Sequence, residues 1–208
     1  MKSPLDSYND SLESVRSLHA LHNHLCNLLP AMDLSEILRA EVVLIVSAFD
    51  CYIHEIVRCG FLRLFKGVDD CKNTKFNEFS IPITTVKQML EVTTDEEKMQ
   101  ILDISIKKIL SKDSYQSPTS IENALQLISI KKIWSSIKED MGMSSMDIKR
   151  KLGLIINRRN KIVHEADKNN SIDTSKNVIE RDDVDDIMQF ISNLVKSIDK
   201  QITMMASS

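Results

Sequence analysis

The chain has 208 residues, 42% hydrophobic and 27% charged, with a formal net charge of −3, a composition ordinary for a globular protein that buries a core without staples. Gly and Pro together number 8, about 4% where ~12% is usual, which argues against turn-rich β-sandwiches and barrels; the four scattered glycines (Gly60, Gly67, Gly142 and Gly153) write neither a Walker A loop nor a GxGxxG turn. No global cationic field steers such a chain to nucleic acid, so contact of that kind needs a local patch.

The whole chain reads in helical periods. A first helix is predicted over residues 5–29, with Leu18, Leu21, Leu25 and Leu28 on one stripe and Pro30 ending it. Asp33 and Glu36 have capping-box spacing at the start of a long second helix over 34–65, apolar at Leu38, Val42, Ile45, Phe49, Ile53, Ile56 and Phe61. Around 42–49 it is apolar nearly all round, which marks a central core helix. Residues 67–82 are polar and irregular. Shorter helices are expected from Pro82, from Thr94 with Glu97 as capping-box partner, and from Ser117-Pro118. An apolar stretch over 128–137 holds the only tryptophan, Trp134. After a turn at 141–145 comes a helix over 146–166, then a polar loop over 167–176. The last helix is predicted over 182–204, with Val184, Ile187, Ile191, Leu194 and Ile198 buried. No repeat, low-complexity tract or composition break divides the chain, so one all-α domain over 1–208 is expected.

Outside that frame the residues read mostly as structural. Cys26, Cys51, Cys59 and Cys71 form no CxxC pair and suit reduced, mostly buried small hydrophobes of a cytosolic chain. The N-terminus shows no apolar signal region, and the longest apolar run, 42–49, is far short of the ~20 residues of a membrane span. A cytoplasmic protein is the expectation. His19, His22 and His24 could suggest a metal site, but His24 does not share the helix face of His19 and His22, and no carboxylate or thiol completes a shell; a helix surface is the simpler reading, and no metal or cofactor is expected. His54 and Asp50 form an i,i+4 pair on the core helix. The acids Glu180, Asp182, Asp183, Asp185 and Asp186 suit the N-terminus of the final helix.

One segment says more: Asn157-Arg158-Arg159-Asn160-Lys161-Ile162-Val163-His164-Glu165-Ala166. Its apolar stripe is Leu152, Ile155, Ile156, Ile162, Val163 and Ala166, and Arg159 falls on that stripe. A guanidinium there needs a carboxylate, an interface or an anion. His164 follows Asn160 by four, so Asn160 could orient the imidazole. From Lys149 to Lys161 there are six basic residues and no acid, the strongest local basic patch. These residue types suit RNA cleavage by the RNA's own 2′-hydroxyl: an imidazole moves the proton near neutral pH, and a guanidinium holds phosphate oxygens as charge develops.

Arg159-Asn160-x-x-x-His164 resembles the RNxxxH form of the Rx4-6H signature of HEPN domains. The context is similar too: Ser47-Ala48-Phe49-Asp50-Cys51-Tyr52 on a long helix, and a polar loop and amphipathic final helix after the motif. The resemblance implies a HEPN-like all-α bundle with long core helices and extra short helices inserted in the middle. It most resembles the ribonuclease branch tied to toxin–antitoxin, phage-defence and RNA-processing systems. It therefore implies a homodimer through the motif helix, a metal-independent endoribonuclease yielding a 2′,3′-cyclic phosphate, and RNA, with an antitoxin or other protein, as partner. Arg159, His164 and Asn160 are the implied catalytic residues, Arg158 and Lys161 extend phosphate binding, and Asp50 is a supporting candidate. Ala166 stands where HEPN toxins paired with minimal nucleotidyltransferases carry a tyrosine, a departure from that subgroup's pattern. The alternative is a non-catalytic HEPN-like module that binds RNA, a nucleotide or a protein.

Overall fold

The computed structural model describes residues 2–67, 74–168 and 175–206. In chain order the helices are α1 (Pro4–Leu28), α2 (Ser35–Phe65), α3 (Thr74–Asn77), α4 (Ile83–Glu91), α5 (Asp95–Leu110), α6 (Pro118–Leu127), α7 (Ile133–Ser136), α8 (Lys138–Met141), α9 (Ser145–Glu165) and α10 (Arg181–Ala206). The fold is all-α, with four long helices and short ones inserted between α2 and α9. Outside the helices, the described residues add one isolated antiparallel bridge between Lys168 and Lys176. No described helix is long and apolar enough to cross a membrane.

α2 is the hub, touching α1, α5, α6, α9 and α10. Its residues Val42, Ile45, Val46, Phe49, Tyr52, Ile53 and Val57 are buried. Each large side chain fully buried there is worth about 1.5–3 kcal/mol, so this helix anchors whatever packs on it. α10 lays Val184, Ile191, Leu194, Val195 and Ile198 into the same core. Trp134 and Ile137 close it from the short α7 region.

Local signals set several helix starts. Ser3 and Asp6 form a capping box with Pro4 in the first turn of α1. Thr94 with Glu97 and Ser117 with Ser120 do the same for α5 and α6. The Asp33–Glu36 box does not form. Asp33 instead accepts from the Ser35 amide at 2.9 Å, and the cap residue of α2 is Leu34, without a side-chain bond. Packing of the apolar face, rather than the cap, holds that helix start.

Other expectations are corrected. The buried stripe of α1 is Tyr8, Leu12, Val15 and His22, while Leu21 and Leu28 are exposed at 48% and 61%; the helix is rotated so that this mixed face, not the leucine stripe, packs on α2 and α10. Cys26 and Cys51 are exposed and Cys59 is half-buried, all three as free thiols, because they lie off the core faces of their helices. Cys71 lies outside the described residues, as does most of the predicted loop after α9. His19 and His22 are not on an open surface: His22 is buried, and His19 is mostly covered.

Gly60 has a steric reason. A Cβ there would lie 2.8–3.0 Å from Ile128 side-chain carbons, so glycine lets the segment after α6 close onto α2.

Candidate active site

α9 carries the motif. Ser144 caps its start, accepting from the Asp147 amide. Ile148, Leu152, Ile155 and Ile156 are buried, but Ile162 is half-buried and Val163 and Ala166 are exposed. The apolar stripe therefore fades toward the C-terminus, and the last two turns emerge from the bundle. That is where the motif sits. Asn157, Lys161 and His164 are exposed and share one helix face by their spacing.

Arg159 is half-buried. Its Nη1 donates to Gln116 Oε1 at 3.3 Å and to Asn160 Oδ1 at 3.1 Å. Its Nε is buried without a partner, and among the described residues no carboxylate forms an ion pair with it. The guanidinium is thus framed by two neutral amide oxygens. Asn160 Oδ1 faces Arg159, not the imidazole as anticipated, since the neighbouring cation is the stronger donor. His164 makes no side-chain hydrogen bond among the described residues and is exposed in the last turn.

Arg159 and His164 are five residues apart, about 140° around the helix and ~7.5 Å along it. A single α9 therefore presents them on different faces.

The basic run is not a free patch. Lys149 pairs with Glu122 at 3.5 Å, Arg150 with Asp147 at 3.0 Å, Lys151 with Asp186 at 2.7 Å and Arg158 with Asp167 at 2.9 Å. The missing acids come from outside the run or from its edge. Arg159 and Lys161 are the two cations of the run left without a carboxylate among the described residues. Arg158 also donates to the carbonyls of Asn177 and Val178, so its charge is already engaged.

Asp50 does not touch the motif. Its Oδ1 accepts from the Tyr115 amide at 2.8 Å, and its Oδ2 lies 3.7 Å from His54 Nε2. The Tyr115 ring packs on His54, with centroids 4.4 Å apart. Burial first, then the nearby Asp113 and Asp50 charges, push the Tyr115 hydroxyl up to about 12; the hydroxyl is buried without a partner. Asp50 thus fixes Tyr115, and Gln116 follows it onto Arg159. Gln116 and Tyr115 were missed from sequence. They lie about 40 residues before the motif on a connecting segment with no periodic signal.

The histidine pair of α1 forms a separate cluster. His19 Nδ1 lies 2.7 Å from Glu41 Oε2 and His19 Nε2 lies 3.4 Å from Asp185 Oδ1, while His22 Nε2 lies 3.5 Å from Cys26 Sγ. Among the described residues no three His, Cys, Asp or Glu side chains are grouped to hold a metal ion.

No curated protein and no solved structure gives a significant match to the chain. A family model described as RiboL-PSP-HEPN matches residues 9–204; the match takes in all of α9 and most of the bundle around it, and the chain belongs to the RiboL-PSP-HEPN family.

Proposed function

We propose that this chain, folded as one helical domain over 1–208, is a metal-independent endoribonuclease. The observation that carries the reading is Arg159: a half-buried guanidinium framed by amide oxygens, with an unpartnered Nε and no carboxylate among the described residues. A cation held this way is matched by an anion from outside, and the phosphate fork suits a guanidinium best.

In the proposed reaction the RNA 2′-oxygen bonds to the adjacent phosphorus as the P–O5′ bond breaks. The products are a 2′,3′-cyclic phosphate and a 5′-hydroxyl. His164, open to solvent in the last turn of α9, moves the proton, taking it from the 2′-hydroxyl or giving it to the departing O5′. Arg159 holds the non-bridging oxygens as charge builds on phosphorus. Asn160 and Gln116 orient the guanidinium, and Lys161 extends the phosphate contact on the His164 face. Arg158 has its charge on Asp167 and supports the helix from behind.

The ~140° between Arg159 and His164 favours two copies paired through α9, with Arg159 of one chain facing the partner's His164. HEPN domains commonly bind RNA and form dimers, which supports RNA as the partner and a homodimer as the working unit. The activity fits a cytoplasmic toxin–antitoxin, phage-defence or RNA-processing setting, with an antitoxin or other protein as its restraint.

The test is cleavage of mixed cellular RNA in excess EDTA by the unmutated protein and by His164→Ala. Cleavage that survives EDTA and is lost in the variant is expected. Equal cleavage by both removes His164 from the reaction. RNA binding or dimerisation without turnover by either protein replaces the nuclease with a non-catalytic module.

A further inference from the structure

We propose that Asp167 is a positioning residue for the motif; the proposal rests on the endoribonuclease reading and assigns what fixes its His164. Asp167 lies three residues after His164, just past the end of α9, and is fully buried. Its Oδ2 lies 2.9 Å from Arg39 Nε and 2.9 Å from Arg158 Nη2, and its Oδ1 accepts from Asn177 Nδ2 at 3.2 Å. Its backbone is held as firmly. The Asp167 amide donates to Lys161 O at 2.9 Å, and its carbonyl accepts from the Asn177 amide at 2.8 Å and from Asn177 Nδ2 at 2.9 Å. Arg39 continues the clamp, donating to Asn177 O at 2.7 Å and to Ser35 Oγ at 2.7 Å. One carboxylate therefore ties the end of α9 to the start of α2 and to the segment before α10.

The backbone shows what the clamp resists. Ala166 has φ of 49° and Asp167 has φ of 58°, two consecutive residues with a Cβ in the left-handed region that favours glycine. Such a pair persists where surrounding contacts over-determine it. The last turn of α9, which holds His164, gets little help from packing because Val163, His164, Glu165 and Ala166 are exposed. Helix ends of this kind fray unless capped. Asp167 supplies that restraint through the Lys161 carbonyl and its two arginines. It also keeps Arg158 on its own partner, so that Arg159 is the guanidinium left for phosphate.

The test uses the full chain with Asp167→Asn, which keeps the shape and removes the charge that compensates two arginines. Amide exchange is read first and needs no RNA. Peptides covering 161–165 are expected to exchange at least tenfold faster, with α2 and α10 core peptides unchanged. Single-turnover cleavage is then expected to fall at least tenfold, with RNA affinity changed less than threefold, a split that general loss of structure does not produce. If Asp167→Asn fails to fold, Arg39→Lys loosens the same clamp from α2 and is expected to give the same local exchange. Unchanged exchange over 161–165 overturns the proposal, and so does faster exchange with undiminished cleavage. Failure of the unmutated chain to cleave RNA sinks the nuclease reading instead, and exchange alone then decides whether Asp167 restrains the turn.

Discussion

Asp50 accepts a hydrogen bond from the Tyr115 amide at 2.8 Å across 65 residues of sequence, and this contact joins the central helix to the segment that delivers Gln116 to Arg159. Asp50→Ala leaves a partly buried amide unpaired, a loss of about 1–3 kcal/mol. A lower urea midpoint is expected, together with slower RNA cleavage, because Gln116 loses its fixed approach. Asp50→Asn keeps an acceptor and is expected to recover most of both. Equal damage from the two variants in paired unfolding and cleavage assays would show that charge, not the amide contact, matters.

Arg159→Lys separates charge from geometry. Lysine keeps the positive charge but has neither the planar fork nor an Nε–H in that position. Loss of one preorganised donor to a developing oxyanion costs about 10²- to 10³-fold in rate, and a fall of that order is expected in single-turnover cleavage. Gln116→Ala should give a smaller fall, since Asn160 still holds Nη1. A lysine variant as fast as the unmutated protein would mean that Arg159 acts only as diffuse charge.

Much of the fold was legible because burial follows period. The bounds of α2 and α10 agree with the spacing to within two residues, since their apolar residues recur at helical spacing and end up in one core. The stripe of α1 was misassigned because leucines outnumber the residues that pack: Tyr8 and His22 are buried while Leu21 and Leu28 are not. The motif itself was legible as spacing, but its electrostatics were not. Asp147 lies three residues before Arg150, a helical spacing the sequence records, but Glu122, Asp167 and Asp186 meet Lys149, Arg158 and Lys151 only in space. Gln116 and Asp167 were invisible for the same reason: their roles are set by tertiary contacts across 43 and 128 residues.

Gly60→Ala tests the close approach of Ile128 to α2. The added Cβ would meet Ile128 carbons at 2.8–3.0 Å, and α2 cannot yield without disturbing its buried neighbours. Overpacking of this kind costs about 1–3 kcal/mol, which exceeds the roughly 1 kcal/mol that alanine gains over glycine in a helix. Thermal unfolding should show a lower midpoint. Ile128→Val in the same chain removes one of the carbons in the way and should restore part of it. A midpoint at or above that of the unmutated protein would show that the segment after α6 moves aside freely.

The pH dependence of stability should carry the mark of Glu41. This carboxyl is fully buried beside His19, and its Oε1 has no partner. Burial, opposed by the hydrogen bond and charge of His19, holds its pKa above the ordinary glutamate value. In the unfolded chain the same group titrates near ~4.3, so in the interval above that value the folded protein binds more protons than the unfolded one. Stability from this group is fully present below ~4.3 and is lost as pH rises through the folded pKa. Glu41→Gln cannot ionise and lacks that slope. Urea unfolding at steps from pH 4 to pH 8 is therefore expected to show the variant gaining on the unmutated protein as pH rises. His22 and Asp185 also border the cluster, and Arg181 lies 3.8 Å from Asp185, so the comparison is made as a difference between the two proteins at each pH. A difference that stays constant across the range would mean that Glu41 keeps an ordinary pKa in the folded chain.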